Sequence, residues 1–206
     1  MLVSAPHGAA HWRNGRFKKE DGFTSAIARF VAQQTGAHVL YTLHQSQDDP
    51  NWNKVSPYKS RLAQLVKQHR LRFVLDIHGM SNRHKFGLAV GTINGRSCPT
   101  LQPLILSIIH QHGFTAISEQ ATKRLLRLHA DRYVLNHSRF AGGSVSHTVT
   151  RFVTEKTNAE AAQIEICSSL RVIHEKSKFG IFKGNMDGIK TAVSTLIAII
   201  NQIAGQ

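Results

Sequence analysis

Short apolar segments alternate along the chain with longer amphipathic ones. The short segments are rich in large apolar residues, as in strands buried on both faces of a sheet; they are residues 2–5, 37–42, 72–77, 86–92, 114–117 and 161–167. The longer segments place apolar residues three or four positions apart, which predicts helices; they are residues 24–36, 58–69, 101–112 and 187–203. This alternation predicts an α/β fold, with one three-layer domain over residues 1–206 and a mainly parallel or mixed central sheet.

Three further segments have a less regular pattern. Residues 9–19 are polar and contain two arginines, which predicts a loop. Residues 119–132 combine leucines with lysines and arginines, which predicts a surface helix or, as the alternative, a lid. Residues 136–146 are interrupted by two glycines and predict a loop that runs into a possible strand.

The composition is that of an ordinary globular protein, with 41% hydrophobic and 18% charged residues among 206. The longest apolar runs are far too short to span a bilayer, and no secretory signal is visible at the amino terminus. We therefore expect a cytoplasmic protein with no membrane partner. Cys98 and Cys167 form neither a disulfide framework nor a C-x-x-C metal pair, so we expect two reduced thiols. The oligomeric state does not follow from the sequence.

The formal net charge of +14 is unusual. It favours anionic partners, which are either small substrates or nucleic acid. The basic residues are spread along the chain without the pattern of a known nucleic-acid-binding module. Nucleic acid is therefore the less favoured partner, and a nucleic-acid-binding protein is our second hypothesis.

Two histidines follow predicted strands and are each followed by glycine. His78 ends the apolar segment at residues 72–77, and His7 comes after the segment at residues 2–5. The carboxyl ends of strands in α/β sheets are the usual place for ligands. Asp76 would share a strand face with His78, as a carboxylate that orients a metal-bound imidazole does. The alternative for each histidine is a hydrogen-bonded side chain at a strand end.

Two adjacent acidic residues complete a candidate metal site. Glu20 and Asp21 precede the helix at residues 24–36, where they either bind a metal or only complement the helix dipole. Two histidines and one carboxylate are ligands typical of catalytic zinc, so His7, His78 and one of these two acids predict one zinc ion per chain.

The remaining chemistry needs a proton carrier and a positive charge. Glu165 lies within an apolar strand, where it either points to solvent or acts as general base. Arg83 or Arg139 could stabilise an oxyanion or hold a substrate carboxylate.

Five motifs, taken in this order, resemble those of the N-formylglutamate amidohydrolases, which are relatives of the zinc carboxypeptidases. They are Ser4-Ala5-Pro6-His7-Gly8, Asp21 with Thr24, Asp76-Ile77-His78-Gly79, Phe140-Ala141-Gly142-Gly143-Ser144-Val145-Ser146 and Gln163-Ile164-Glu165-Ile166. The resemblance implies a phosphorylase/hydrolase-like α/β fold and zinc bound by His7, His78 and Asp21 or Glu20. It also implies that Glu165 is the catalytic carboxylate and that a C–N amide bond of a small acylated amino acid is hydrolysed.

One motif departs from the family. Where the family usually has Asp-Leu-Asn-Arg, this chain has Asp49-Pro50-Asn51-Trp52, so the arginine is replaced by tryptophan and a glutamate substrate is not implied. We expect substrate contacts from Asn51 and Gly143, beside Arg83 and Arg139. The leading hypothesis is a zinc amidohydrolase for a small anionic N-acyl amino acid or short peptide. A third hypothesis is a relative without activity that binds a ligand.

Overall fold

The computed structural model describes residues 1–143, 147–175 and 182–206. The strands are β1 (Leu2–Ala5), β2 (His11–Arg13), β3 (Arg16–Lys18), β4 (His38–Tyr41), β5 (Phe73–Met80), β6 (Phe86–Gly91), β7 (Thr115–Ala116), β8 (His129–Leu135), β9 (Glu160–Cys167), β10 (His174–Glu175) and β11 (Phe182–Lys183). The α-helices are α1 (Thr24–Thr35), α2 (Pro57–Gln68), α3 (Gln102–Gln111), α4 (Glu119–Thr122), α5 (Val149–Lys156) and α6 (Met186–Ala204). Short 3₁₀ helices, Asn82–His84 and Ser168–Leu170, follow β5 and β9.

Seven strands form the central sheet in the order β4-β1-β5-β9-β6-β8-β7. Strands β4, β1, β5 and β9 are parallel to one another, and β6, β8 and β7 form a second parallel block. The two blocks meet where β6 runs antiparallel to β9. The prediction of a mainly parallel or mixed sheet is therefore confirmed.

Helices cover both faces of this sheet. Helices α1, α3 and α6 pack over one face, where Ile27, Ile108 and Leu196 are buried. Helices α2 and α5 pack over the other face, where Leu62 and Val153 are buried. Burying one such side chain stabilises the fold by about 1.5–3 kcal/mol. A polar side chain in the same layers takes the place of an apolar one and forgoes this stabilisation, so it needs hydrogen-bond partners.

The register of the central strands brings polar residues together. Ser4 of β1 lies opposite Asp76 of β5, and His78 of β5 lies opposite Glu165 of β9. Because β1, β5 and β9 are parallel, their carboxyl ends meet at one edge of the sheet, where His7 follows β1.

Several elements differ from the predictions. Strand β5 continues through His78 and Gly79 to Met80, because β9 pairs with it as far as Cys167. Only residues 119–122 of the predicted helix at 119–132 are helical; residues 129–135 form β8, which hydrogen bonds between β6 and β7. Pairing with neighbouring strands outweighs the local pattern there.

Two other differences concern segments with turn residues. The predicted loop at residues 9–19 contains the β2–β3 hairpin, which turns at Asn14 and Gly15 with φ values of 49° and 70°. Helix α5, which the sequence pattern does not predict, begins at Val149, with the Thr148 side chain accepting a hydrogen bond from Arg151 N. The possible strand after residue 143 falls outside the described part of the chain. Ser144, Val145 and Ser146 of the glycine motif lie outside the described residues. In the described part of the chain, every helix falls short of the length or apolarity needed to cross a membrane.

Candidate functional site

Two imidazoles and one carboxylate converge where β1 and β5 end. Asp21, in the loop before α1, places Oδ2 3.4 Å from His7 Nδ1 and 3.3 Å from His78 Nδ1. The two histidine rings lie edge to face with centroids 4.8 Å apart. All three ligand atoms therefore lie within the span of a single metal ion.

The opposite nitrogen of each ring contacts a second carboxylate. His7 Nε2 lies 2.9 Å from Asp49 Oδ1, and His78 Nε2 lies 3.1 Å from Asp76 Oδ2. Both aspartates are fully buried. A ring that donates Nε2–H to its aspartate and loses the Nδ1 proton has an Nδ1 lone pair for a metal ion beside Asp21, which is the arrangement of a carboxylate–histidine–metal unit. Without a bound metal ion, the protonated ring donates from Nδ1 to Asp21 Oδ2 instead.

The electrostatics of the cluster suit a cation. Burial lowers the pKa of His78, but the charge of Asp76 and hydrogen bonds to Asp21 and Asp76 outweigh it and raise that pKa well above its usual value. Burial raises the pKa of Asp21, but hydrogen bonds from His7 and His78 outweigh it and hold that pKa well below its usual range. Three aspartates thus surround two imidazoles and favour positive charge between them, so the donor set fits a divalent metal.

Asp21 is held in place through its backbone and its side chain. Its N–H donates to His7 O at 2.8 Å, and Thr24 Oγ1 donates to Asp21 O at 2.7 Å. Gly79 N donates to Asp21 Oδ2 at 3.1 Å. Glu20 is exposed instead, so the structure brings Asp21, and not Glu20, to the histidines.

A second group of possible ligands shares His7 with the first. His11 stacks on His7 with ring centroids 4.3 Å apart, and its Nε2 lies 3.3 Å from Asp49 Oδ2. The same carboxylate oxygen accepts a hydrogen bond from Arg13 Nε. That guanidinium already supplies a positive charge, so a metal ion is disfavoured there, and Asp49 acts as the partner of His7.

Glu165 lies on the strand next to His78. Its side chain is buried, and Gln163 Nε2 donates to its Oε1 at 2.9 Å, whereas Oε2 has no hydrogen-bond partner among the described residues. Burial, supported by the negative charge of Asp21, raises the pKa of Glu165 to about 7. A carboxyl with such a pKa can take up and release a proton near neutral pH.

These groups share a cavity of about 280 Å³. Its lining includes His7, Asp21, His78, Gln163, Glu165, Arg13, Asn51, Trp52, Arg139, Phe140 and Gly143. Asn51 is fixed by its Oδ1, which accepts a hydrogen bond from Val149 N at 2.9 Å. Arg83 is exposed in the 3₁₀ helix at residues 82–84 and does not line the cavity.

Sequence reasoning missed several of these groups. Arg13 and His11 lie in the β2–β3 hairpin, where the sequence predicts only a polar loop. Asp49 stood in a motif, but the sequence did not indicate that it meets His7. The available signal is the group of four aspartate and asparagine residues at 48, 49, 51 and 53, in the loop that follows the predicted strand at residues 37–42.

Solved structures of several hydrolases are similar to this fold. N-formylglutamate amidohydrolase from Ralstonia eutropha matches with a TM-score of 0.54 and 12% identity, over 99% of this chain and 92% of that chain. A bacteriophage poly-gamma-glutamate hydrolase matches with a TM-score of 0.53 and 15% identity, over 99% and 82%. The catalytic domain of CwlV, an N-acetylmuramoyl-L-alanine amidase from Bacillus (Paenibacillus) polymyxa var. colistinus, matches with a TM-score of 0.50 and 13% identity, over 99% and 97%.

No protein-family model matches the sequence, and no curated protein matches it by sequence similarity. Identities of 12% to 15% establish a common fold and nothing more specific. The expected fold is confirmed: this chain has the three-layer α/β architecture found in N-formylglutamate amidohydrolase and in related amidases.

Proposed function

We propose that the protein is a zinc-dependent amidohydrolase that cleaves the amide bond of a small anionic N-acyl amino acid or short peptide. The main support is the convergence of His7 Nδ1, His78 Nδ1 and Asp21 Oδ2 beside the buried carboxyl of Glu165. Two nitrogen ligands and one carboxylate oxygen are a common protein ligand set of catalytic zinc, which leaves a fourth position for water.

A zinc ion held by these three residues would polarise the substrate carbonyl and lower the pKa of a water molecule to about 7. The chain's own residues would do the rest. Glu165, held by Gln163 at Oε1, would accept the proton of the attacking water at Oε2 and deliver it to the leaving nitrogen. Burial around Glu165 supports this role because it raises the pKa of the carboxyl to about 7, so that the group can exchange a proton near neutral pH.

The cavity walls support an anionic substrate. Arg13 and Arg139 both line it, and each guanidinium lies about 6 Å from the centroid of an aromatic ring, that of Trp52 and of Phe140 respectively. We assign substrate binding to these two arginines, together with Asn51 and the backbone at Gly143. A guanidinium binds a carboxylate through two parallel hydrogen bonds.

The neighbours' names agree with this chemistry. They describe an N-formylglutamate amidohydrolase, a poly-gamma-glutamate hydrolase and an N-acetylmuramoyl-L-alanine amidase. All three names refer to hydrolysis of an amide bond, and two refer to a glutamate-containing substrate. We also keep the cytoplasm as the proposed location, because Cys98 and Cys167 are both free thiols.

The experiment that tests the proposal combines metal analysis with a substrate screen. Protein prepared without added metal should contain, or take up, about one zinc per chain and should hydrolyse at least one of a set of N-formyl, N-acetyl and γ-glutamyl amino acids. His78→Ala should lose both zinc and activity, whereas Arg83→Gln, outside the cavity, should keep both. Absence of zinc uptake by the wild type, or full activity of His78→Ala, would contradict the proposal.

One observation favours a second function. Lys67, Arg70, Arg72 and Lys156 line a groove of about 630 Å³ at the amino ends of β5 and β9, away from the site. Such a basic groove could bind nucleic acid, as the net charge of +14 also allows. The affinity should then fall steeply with salt, and lack of binding to mixed DNA or RNA at low ionic strength would eliminate this function.

A further inference from the structure

Arg171 is a buried arginine that follows β9 after one turn of 3₁₀ helix. Its Nε donates to Ile166 O at 3.0 Å, and its Nη1 donates to Gly22 O. Its guanidinium also covers Gly79, where a Cβ atom would lie 2.5 Å from Cζ and 2.6 Å from Nε and Nη2. One guanidinium therefore contacts three separate segments of the chain.

Each of these three contacts is next to a residue of the candidate site. Ile166 follows Glu165, Gly22 follows Asp21, and Gly79 follows His78. We propose that Arg171 is a positioning residue that fixes the two ligands Asp21 and His78 relative to the base Glu165. This inference rests on the proposed function, since it concerns the same metal site.

The chemistry of arginine suits this role. Its planar guanidinium presents hydrogen-bond donors in fixed directions, so carbonyls bound at Nε and Nη1 are held at a set distance and angle. The charges of Asp21 and Glu165 both act on Arg171 and partly offset the cost of its burial. An apolar side chain could fill the same space without that cost. Packing alone therefore does not explain an arginine at this position.

The same contact with Arg171 explains why residue 79 is a glycine. The φ angle of Gly79 is not positive, so other residues could adopt its backbone conformation. What it supplies is space, because the guanidinium occupies the place of a side chain. The guanidinium cannot move aside without breaking its hydrogen bonds to Gly22 and Ile166. Gly79→Ala is thus a second way to displace Arg171 without changing its charge.

The test uses zinc affinity, which needs no substrate. Zinc dissociation constants are measured by chelator competition for the wild type, Arg171→Lys, Gly79→Ala and the double variant, with visible spectra of the cobalt-loaded proteins and thermal unfolding of the metal-free proteins. Arg132→Lys, which changes a partly exposed arginine in β8 outside the cavity, is the matched control. Arg171→Lys keeps the positive charge but lacks the planar set of N–H donors of the guanidinium.

We expect Arg171→Lys and Gly79→Ala each to weaken zinc binding about 10- to 100-fold, as for other residues that orient metal ligands, and to alter the cobalt spectrum. Their effects should be less than additive in the double variant, because both act through one guanidinium. A lower unfolding temperature with wild-type zinc affinity and spectrum would show that Arg171 only stabilises the fold, and would overturn the inference. A wild type that binds no zinc would overturn the proposed function as well, so the two failures are distinguishable.

Discussion

The two histidines of the site are held in different ways. His78 lies within β5, between β1 and β9, and its partner Asp76 comes two residues earlier on the same strand. His7 lies in the turn after β1, and its partner Asp49 comes from a loop 42 residues away. One imidazole is therefore oriented by a strand and the other by contacts between loops.

The contacts of the two aspartates reflect this difference. Asp76 accepts a hydrogen bond from Ser4 Oγ on the neighbouring strand, at 2.8 Å, besides its contact with His78. Asp49 accepts hydrogen bonds from Asn51 N and Arg13 Nε, and it lies close to His11. The hydrogen bonds of the sheet hold the backbone of His78 whether or not Asp76 is present, whereas His7 lies in a turn without such support.

The largest expected effect concerns the strand side of the site. Glu165→Gln removes the proton carrier while leaving the ligands in place, so kcat should fall about 10²- to 10⁴-fold. Zinc affinity should change little, because Glu165 is not one of the three converging ligands. Steady-state kinetics with the best substrate of the screen, together with zinc titration, measure both quantities.

The control for this variant is Glu155→Gln, which changes an exposed glutamate of α5 that pairs with Arg151. It should keep the wild-type kcat. Loss of zinc binding in Glu165→Gln would instead show that Glu165 is a ligand.

The next prediction compares the aspartate partners of the two histidines by their effect on zinc affinity. Asp49→Asn should weaken zinc binding about 100-fold and Asp76→Asn about 10-fold, the two ends of the range for residues that orient ligands. The larger loss is expected at Asp49 because His7 has no strand to hold it. Chelator competition measures both constants. Equal losses, or a larger loss for Asp76→Asn, would show that strand support does not matter for the ligand geometry.

The same difference explains which parts of the site could be predicted from sequence. Asp76 and His78 share a strand face because strand side chains alternate, so their contact follows from their spacing of two. The contact of Asp49 with His7 depends on how a loop of irregular structure folds back over β1, and no local pattern encodes that. The sequence does not single out Arg171 for the same reason, since its three partners come from separate parts of the chain.

The fold shows the same division between what local sequence determines and what depends on distant residues. The sequence predicts β9 nearly in full and β5 as far as Ile77, because apolar residues occupy both faces of these buried strands. Strand β8 was missed because only its Tyr133 and Val134 are buried, so its sequence carries little apolar signal. Pairing with β6 and β7 determines its structure, and such pairing depends on distant residues.

A further expected effect concerns the stability of the loop side and depends on pH. Lys59 of α2 is almost fully buried, and its Nζ donates to Asn53 O and His147 O. It thereby ties the loop of Asp49 to the segment that precedes α5. Burial, only partly offset by the charges of Asp48 and Asp49, lowers the pKa of Lys59 from 10.5 to about 8.

The sign of the pH effect follows from this lowered pKa. Below pH 8 the lysine is charged in both folded and unfolded protein, so the folded state bears the cost of a buried charge. As the pH rises from 8 towards 10.5, the folded protein loses this proton first and the cost is relieved. Relative to Lys59→Met, the wild type should therefore gain about 2 kcal/mol of unfolding free energy between pH 7 and pH 10. Urea unfolding of both metal-free proteins at the two pH values measures the change, and an equal pH dependence of the two would show that the loop is not held by a strained, buried charge.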